Sequence, residues 1–475
     1  MIYRRLRLVL LAVGGALLLL WAWRAAVACE GLPPNTSVSA RTAQRGEALP
    51  SGNAALAELD LGLGAQTLKA WYEEKSGKTG DDRYFGAYVT LPVTAGGSSR
   101  LYIGLGSARP AEDSGAYLAT FDGITLTGIA RLHEEGLHEM LYDGTALHIA
   151  GTDPDHRDGD DHSAGNHYVY TPTTGTLAKY RDGQAGLVNV FHTWGLWLSD
   201  TVLYAAVSAH TGDYTDTCAS NYGAICMGQI FTSTDRGATW TKASDLGDYR
   251  AYDVTGYNGD LYAIHNDELG GALSMSRSTD GGQTWTGLPA LREKLRRVHL
   301  VEFGGRLIAA GFDRATLYAL SAAGTVTTHT LPAGYRVGTA YTETFASAYT
   351  DYNVLAVAGD SLYLIAQQPE ETGCAILRTA DLQQWERMAQ TPERLISLSQ
   401  WADGERNGLV AASAGTAATL WYLDLRDAPA ALTLRAFHAV RARAWRLAAL
   451  LAGMASGLGL LRRRGMRFNS GAKAR

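Results

Sequence analysis

The sequence predicts an all-β fold, a seven-bladed β-propeller of four-stranded blades flanked by an N-terminal and a candidate C-terminal membrane helix. Three observations carry this expectation. A short strand pattern, a turn residue followed by Leu and alternating apolar residues, occurs seven times. Its anchor leucines, Leu101, Leu147, Leu203, Leu261, Leu307, Leu362 and Leu409, lie 46 to 58 residues apart, about the length of one propeller blade. The composition agrees, because 54 Gly against 12 Pro, with 24 Tyr and 11 Trp, suits short strands joined by tight turns.

Each anchor strand, for example "GTALHIAG" or "GRLIAAGF", is followed by a second run such as "HYVYTPTTG" or "ATLYALSAAG" that ends in Asp, Gly, Thr or Ser. Those residues form tight hairpins. A third run precedes the anchor, as in "HEMLYDG", "YDVTGYNG" and "HLVEFGG". With the strand after the final turn, each repeat supplies four strands, and the repeats span residues 85–435. Residues 29–84 are read as a linker and the start of the propeller. At 46% apolar and 19% charged residues, the chain is able to bury a large core.

The ends differ from the middle. Arg4, Arg5 and Arg7 precede an apolar run from Leu8 to Trp23, the layout of an export signal, so residues 1–28 are expected to be a signal peptide or an N-terminal membrane anchor. Ala26 and Ala28 make a small-x-small cleavage pattern, and Cys29 behind them weakly fits a lipoprotein site. Near the other end, Leu447 to Leu461 is uncharged, short of the ~17 to 25 residues of a spanning helix. Residues 445–461 are a candidate span. The basic tail 462–475, with Arg462, Arg463, Arg464 and Arg467, is expected on the cytoplasmic side. The propeller would then be extracytoplasmic and membrane-anchored. A disulfide between Cys218 and Cys226 is expected around the polar turn "ASNYGAI", whereas Cys374 reads as a buried thiol.

One eight-residue pattern, S-x-D-x-G-x-T-W, occurs as "STDRGATW" (Ser233, Asp235, Gly237, Trp240) and again as "STDGGQTW" (Ser278, Asp280, Gly282, Trp285). A degraded copy, "TADLQQW", holds Asp381 and Trp385. The pattern resembles the Asp-box, or BNR, repeat of the sialidase-like β-propellers, photosystem assembly-factor-like propellers and sortilin-type receptors. The repeat pattern puts the motif at the turn between third and fourth strands, and the resemblance implies that it lies on the periphery, away from the ligand-binding face. The residues themselves suit a turn clamp: Asp accepts turn N–H groups, Gly permits positive φ, and Trp buries a large ring.

Functional residues are therefore sought where the first strands line the central channel. The sixth residue before the turn glycine is His138, Asp253, His299 and Asn353 in four repeats. These side chains are expected to ring the channel mouth, either as a polar ligand or cation site or as a hydrogen-bonded plug. A second candidate is the acidic loop "GTDPDHRDGDDHSAGNH", where Asp153, Asp155, Asp158 and Asp160 suggest Ca²⁺ and His156, His162 and His167 suggest a transition metal instead; a solvated loop is the alternative.

The sialidase resemblance would imply an Arg triad with an R-I-P motif and six blades. No R-I-P occurs, and "SARP" at Ser107 to Pro110 is no substitute. The expected function is thus a ligand- or protein-binding or assembly module, with a glycoside hydrolase using channel-face carboxylates as the alternative. The expected partners are the membrane and another membrane or envelope protein or a glycan. Nucleic acid is excluded, since the net charge is −5 and the one basic cluster, "REKLRRVH", is short.

Overall fold

The computed structural model describes residues 56–79, 85–107, 115–132, 134–154, 167–180, 186–187, 189–210, 226–247, 250–266, 272–338, 353–367, 373–403 and 405–426. These residues form an all-β propeller with one α-helix. Hydrogen bonding groups the strands into five antiparallel sheets: two of eight strands, two of four and one of five. The eight-stranded sheets are joined at their middles by single residue pairs, Gly86 with Ala414 and His192 with Thr152. Most other strands pair with their sequence neighbours as antiparallel meanders; the exceptions are Leu56–Glu58, which pairs with Leu420–Asp424, and Arg336–Val337, which pairs with Ser361–Gln367.

All seven anchor leucines lie in the second strand of a meander, and all are buried. The apolar alternation is the cause: one side of each strand faces the core between adjacent sheets, and Leu fills it.

Two elements escaped the repeat pattern. Strand Leu56–Glu58 pairs antiparallel with Leu420–Asp424, so Leu56 faces Leu423 and Glu58 faces Trp421. This joins the first described residues to the last strand and closes the ring, which removes an open edge. Helix Leu68–Ser76 follows, capped by the Thr67 hydroxyl accepting from the Ala70 N–H (3.2 Å) and ended by Gly77 at φ 69°. It buries Leu68, Trp71 and Tyr72 against Phe85, Leu101 and Phe121. The Tyr72 hydroxyl donates to the Gly115 carbonyl at 2.5 Å. The helix thereby lies on the sheet containing the ring closure.

The N-terminal segment 1–28, the candidate span 445–461 and the basic tail lie outside the described residues. No helix among the described residues is long and apolar enough to cross a membrane. Cys218 is also outside them, and Cys226 opens strand Cys226–Ser233 opposite His210. Cys374 is buried at the start of strand Cys374–Thr379.

The docking of the helix is testable. Trp71 is buried and meets Tyr117 edge-on at 5.8 Å. Trp71→Ala is expected to cost ~3–5 kcal/mol, read as a lower urea midpoint with an unchanged slope. A loss below ~0.5 kcal/mol, the range of an ordinary surface substitution, would show that the helix does not hold this sheet.

Candidate functional site at the propeller axis

Five innermost strands carry a β-bulge at one register. The residue following the bulge pairs with the third residue after the anchor leucine: Val89 with Gly104, Glu139 with Ala150, Gly195 with Ala206, Asp253 with Ile264, and Ser397 with Ala412. The residues left unpaired in the ladder are Tyr88, His138, Trp194, Tyr252 and Ile396. Such a bulge bends its strand and re-aims a side chain. Here Tyr88, Trp194, Tyr252 and Ile396 share one core cluster, and the His138 ring lies 5.0 Å from Trp194. Inner strands distant in sequence thus meet at one axis.

The four sequence-derived residues all reach this axis, and each engages another strand. Asn353 donates through Nδ2 to the carbonyls of Tyr88 (3.1 Å) and His138 (2.9 Å). Asp253 is fully buried and its Oδ2 accepts the Leu300 N–H at 2.8 Å. His299 Nδ1 lies 3.4 Å from Asp253 Oδ2 and 3.4 Å from Glu139 Oε2. His138 is buried; its carbonyl receives Asn353 and its ring packs on Trp194. Ser397 adds a further tie by donating to the Ala87 carbonyl at 2.8 Å.

Glu139 was missed by counting back from the turn glycine. The turn after its strand has four residues between Tyr142 and Leu147, whereas only Asn258 and Gly259 separate Tyr257 from Asp260. Counting from the anchor leucine instead makes Glu139 the equivalent of Asp253. His138 is then the equivalent of Tyr252, a bulge residue.

Burial opposes a charge on His299, but the carboxylates of Asp253 and Glu139 outweigh it and raise the imidazole pKa to about 10. The ring is therefore a cation at neutral pH, held between two anions, with its side chain 27% exposed. Beside it, the Arg297 guanidinium sits 4.0 Å over the Trp194 ring and 5.1 Å from Tyr252, while Arg250 lies 5.3 Å from Trp194. Both are cation–π contacts in a desolvated setting.

The acidic-loop residues do not enter this arrangement as described. Asp155, Asp158 and Asp160 are outside the described residues, and of Asp153 only the backbone, in strand Leu147–Pro154, is described. No His, Cys, Asp or Glu cluster suited to a metal occurs among the described residues.

The S-x-D-x-G-x-T-W segments form hairpin turns. Ser233 donates to Asp235 Oδ1 and accepts the Gly237 N–H, both at 2.8 Å, while Asp235 accepts the Thr239 N–H (2.8 Å) and hydroxyl (2.6 Å). Ser278, Asp280, Gly282 and Thr284 repeat the arrangement, and the bonds from Thr284 and Ser278 draw the Asp280 carboxyl down to about 2. The third copy is one residue shorter; Leu382 keeps the positive φ (64°) that Arg236 (59°) and Gly281 (73°) have in the full copies, and Asp381 accepts from Gln383 and Gln384. Trp240 and Trp385 are buried, and Trp285 donates to the Ser244 hydroxyl at 2.9 Å.

Gly237 also explains an unusual buried chain. Asp143 Oδ2, His148 and His167 are linked at 3.2 Å and 3.2 Å, and His167 packs on Trp240. A Cβ at Gly237 would come 2.2 Å from His167 Cε1. Burial lowers the pKa of both histidines, that of His167 well below the usual value.

No family model matches the sequence, and no curated protein matches it. Among solved structures, the chain is similar to streptogramin B lyase at 10% identity, covering 78% of this chain and 97% of that one with a TM-score of 0.46. It is similar to virginiamycin B lyase from Staphylococcus aureus at 13% identity, covering 78% and 99% with a TM-score of 0.46. A chain of the Mitotic Checkpoint Complex gives 12% identity over 78% and 97%, with a TM-score of 0.43. These likenesses concern the fold, and no residue role is transferred from them. The chain is an all-β propeller whose inner strands are tied at the axis by polar side chains.

The histidines set opposite pH dependences. His148 and His167 are held neutral, so the unfolded chain binds more protons below about pH 6.5 and stability falls as pH drops. His299 is held charged, so its contribution is complete below about pH 6.5 and is lost as pH rises toward its folded value of about 10. Urea midpoints from pH 5 to 10 are expected to peak near neutrality, and His299→Gln is expected to flatten the alkaline limb only. An unchanged alkaline limb in that variant would contradict the ion-paired His299. Separately, Gly237→Ala, strained at φ 80° and clashing with His167, is expected to cost more than ~1 kcal/mol. Gly144→Ala, with φ 89° but open space, is the control for backbone strain alone.

Proposed function

We propose that the chain is an extracytoplasmic, membrane-anchored binding or assembly module built as a seven-bladed propeller of the Asp-box type. The blade count follows if each eight-stranded sheet is taken as two four-stranded blades, since a single residue pair joins its halves. The two full S-x-D-x-G-x-T-W turns, with their matching hydrogen bonds, support the Asp-box resemblance.

The observation that carries the binding reading is the axial ion triad. Glu139, Asp253 and His299 come from separate blades, yet they meet at one imidazole nitrogen. Their mutual ties fix the backbone at the channel mouth, and the part-exposed, charged His299 offers a preorganised polar patch. An envelope protein or a glycan is the partner that such a patch suits. The N-terminal apolar run and the candidate span 445–461 would hold the module at the membrane, with the basic tail on the cytoplasmic side.

The glycosidase reading has one observation in its favour, the two carboxylates that face a common point. Against it, both are engaged by His299, and Asp253 also accepts a backbone N–H. Crosslinked membranes, with the full chain as bait, separate the readings. A specific envelope partner recovered with the wild type and lost with His299→Gln supports the module. Identical recovery by both chains would remove the axial site from the binding role. Turnover of sialosides or aryl glycosides that is lost in Glu139→Gln would replace the module by the enzyme.

A further inference from the structure

A pocket lies between strand Val190–Ser199 and the hairpin of Arg250–Tyr257 with Asp260–Asn266. Its volume is about 250 Å³, below the ~300–1,000 Å³ of pockets for drug-sized ligands, so it suits a single ring. Trp197 forms its aromatic wall. A Cβ on Gly256 would lie 2.0 Å from Trp197 Cζ2 and 2.2 Å from Cη2, which means the indole rests directly on the neighbouring strand's backbone. The Tyr204 ring supports it from 5.6 Å at 41°. The indole is therefore a fixed plate in the pocket's lining.

The polar side is equally defined. Asp260 is held by Arg277, whose Nε donates to Oδ2 at 2.8 Å and whose Nη2 reaches the same oxygen. Both bonds fall on Oδ2, which leaves Oδ1 outside the pair. Asn258, at φ 53° in the two-residue turn, and Ser199 bring an amide and a hydroxyl to the same rim.

We propose that this pocket is a carbohydrate subsite that holds one neutral pyranose ring. The C–H face of a pyranose is apolar and stacks on an indole, while its equatorial hydroxyls reach sideways to acceptors such as Asp260 and Asn258. A purely apolar ligand would bury the Asp260 carboxylate without new hydrogen bonds. An anionic sugar would meet that carboxylate as a like charge. The subsite stands independently of the axial triad, and a glycan partner would gain a second contact from it.

The test is saturation-transfer NMR on the full chain with methyl glycosides of glucose, galactose, mannose, N-acetylglucosamine and sialic acid, followed by titration. Transfer to the ring protons of at least one neutral glycoside is expected. Its affinity should fall at least ~10-fold, or 1.4 kcal/mol, in Trp197→Ala and in Asp260→Asn. The second variant keeps the shape of the rim and guards against a folding defect in the first. His299→Gln should leave sugar binding unchanged. No transfer from any neutral glycoside, equal transfer from sialoside, or full affinity in Asp260→Asn would overturn the subsite. Loss of binding in His299→Gln alone would move the sugar to the axis, which would overturn this inference and leave the binding-module reading standing.

Discussion

Everything in this fold depends on how the innermost strands share one axis. Strands that converge radially must bring polar backbone and side chains together in a region that water scarcely reaches, where an unsatisfied group costs about 1–3 kcal/mol. The molecule meets this constraint with ties that run between strands. Asn353 serves two carbonyls at once, Asp253 accepts the Leu300 N–H, and Ser397 donates to Ala87. The repeated bulge is the geometric counterpart. It rotates one residue of each of these five strands out of the ladder, so that Tyr88, Trp194, Tyr252 and Ile396 fill the axis with apolar volume, while in three of the strands the next residue, Glu139, Asp253 or Ser397, carries a polar tie.

The aspartate turns perform a different task, at the joints between blades. Within each turn the Ser and Asp side chains satisfy local N–H groups that no ladder reaches. The turn then touches the preceding repeat: Gly237 lies against His167, Gly282 against Tyr204 and Ile230, and the Ser244 hydroxyl donates to the Gly282 carbonyl at 2.7 Å. His329 faces the Leu382 backbone in the shortened copy. Gly237 is thus fixed twice, by positive φ and by the close approach of the His167 ring, whereas Gly282 is fixed by its positive φ alone, its neighbours standing at ordinary contact distance. The shortened copy has lost one of the two left-handed residues and keeps Leu382 in the other.

Much of this was legible in the sequence because a repeated fold writes the same local problem several times. The anchor leucines mark the second strands, and the turn motif marks the hairpins. What stayed hidden has physical reasons. The closing strand Leu56–Glu58 is three residues long and has no anchor of its own; only its partner at Leu420–Asp424 makes it a strand. The helix buries Trp71 and Tyr72 but lies outside the repeat, so periodicity does not announce it. Glu139 was hidden by turn length: a hairpin loop gaining two residues shifts a count made from its glycine, whereas the register of the strands is unaffected. Register is set by the buried face, and Leu147 and Leu261 are what fix that face.

The same reasoning separates the two charge environments of the buried histidines. His148 meets one carboxylate, Asp143, already engaged by the Thr145 and Ala146 N–H groups and approached by Arg236 at 3.5 Å, and His167 reaches it through the His148 ring. That anion is largely spent, so burial prevails and both rings stay neutral. His299 meets two carboxylates and keeps part of its surface in water, so attraction prevails and the ring is charged. A part-buried imidazolium between two anions is costly to assemble but expensive to break, since removing the cation leaves like charges facing each other. Such a triad ties its strands together most firmly when all three charges are present. The axis of this propeller is for that reason at once its rigid hub and the place where a charged partner would most strongly perturb it.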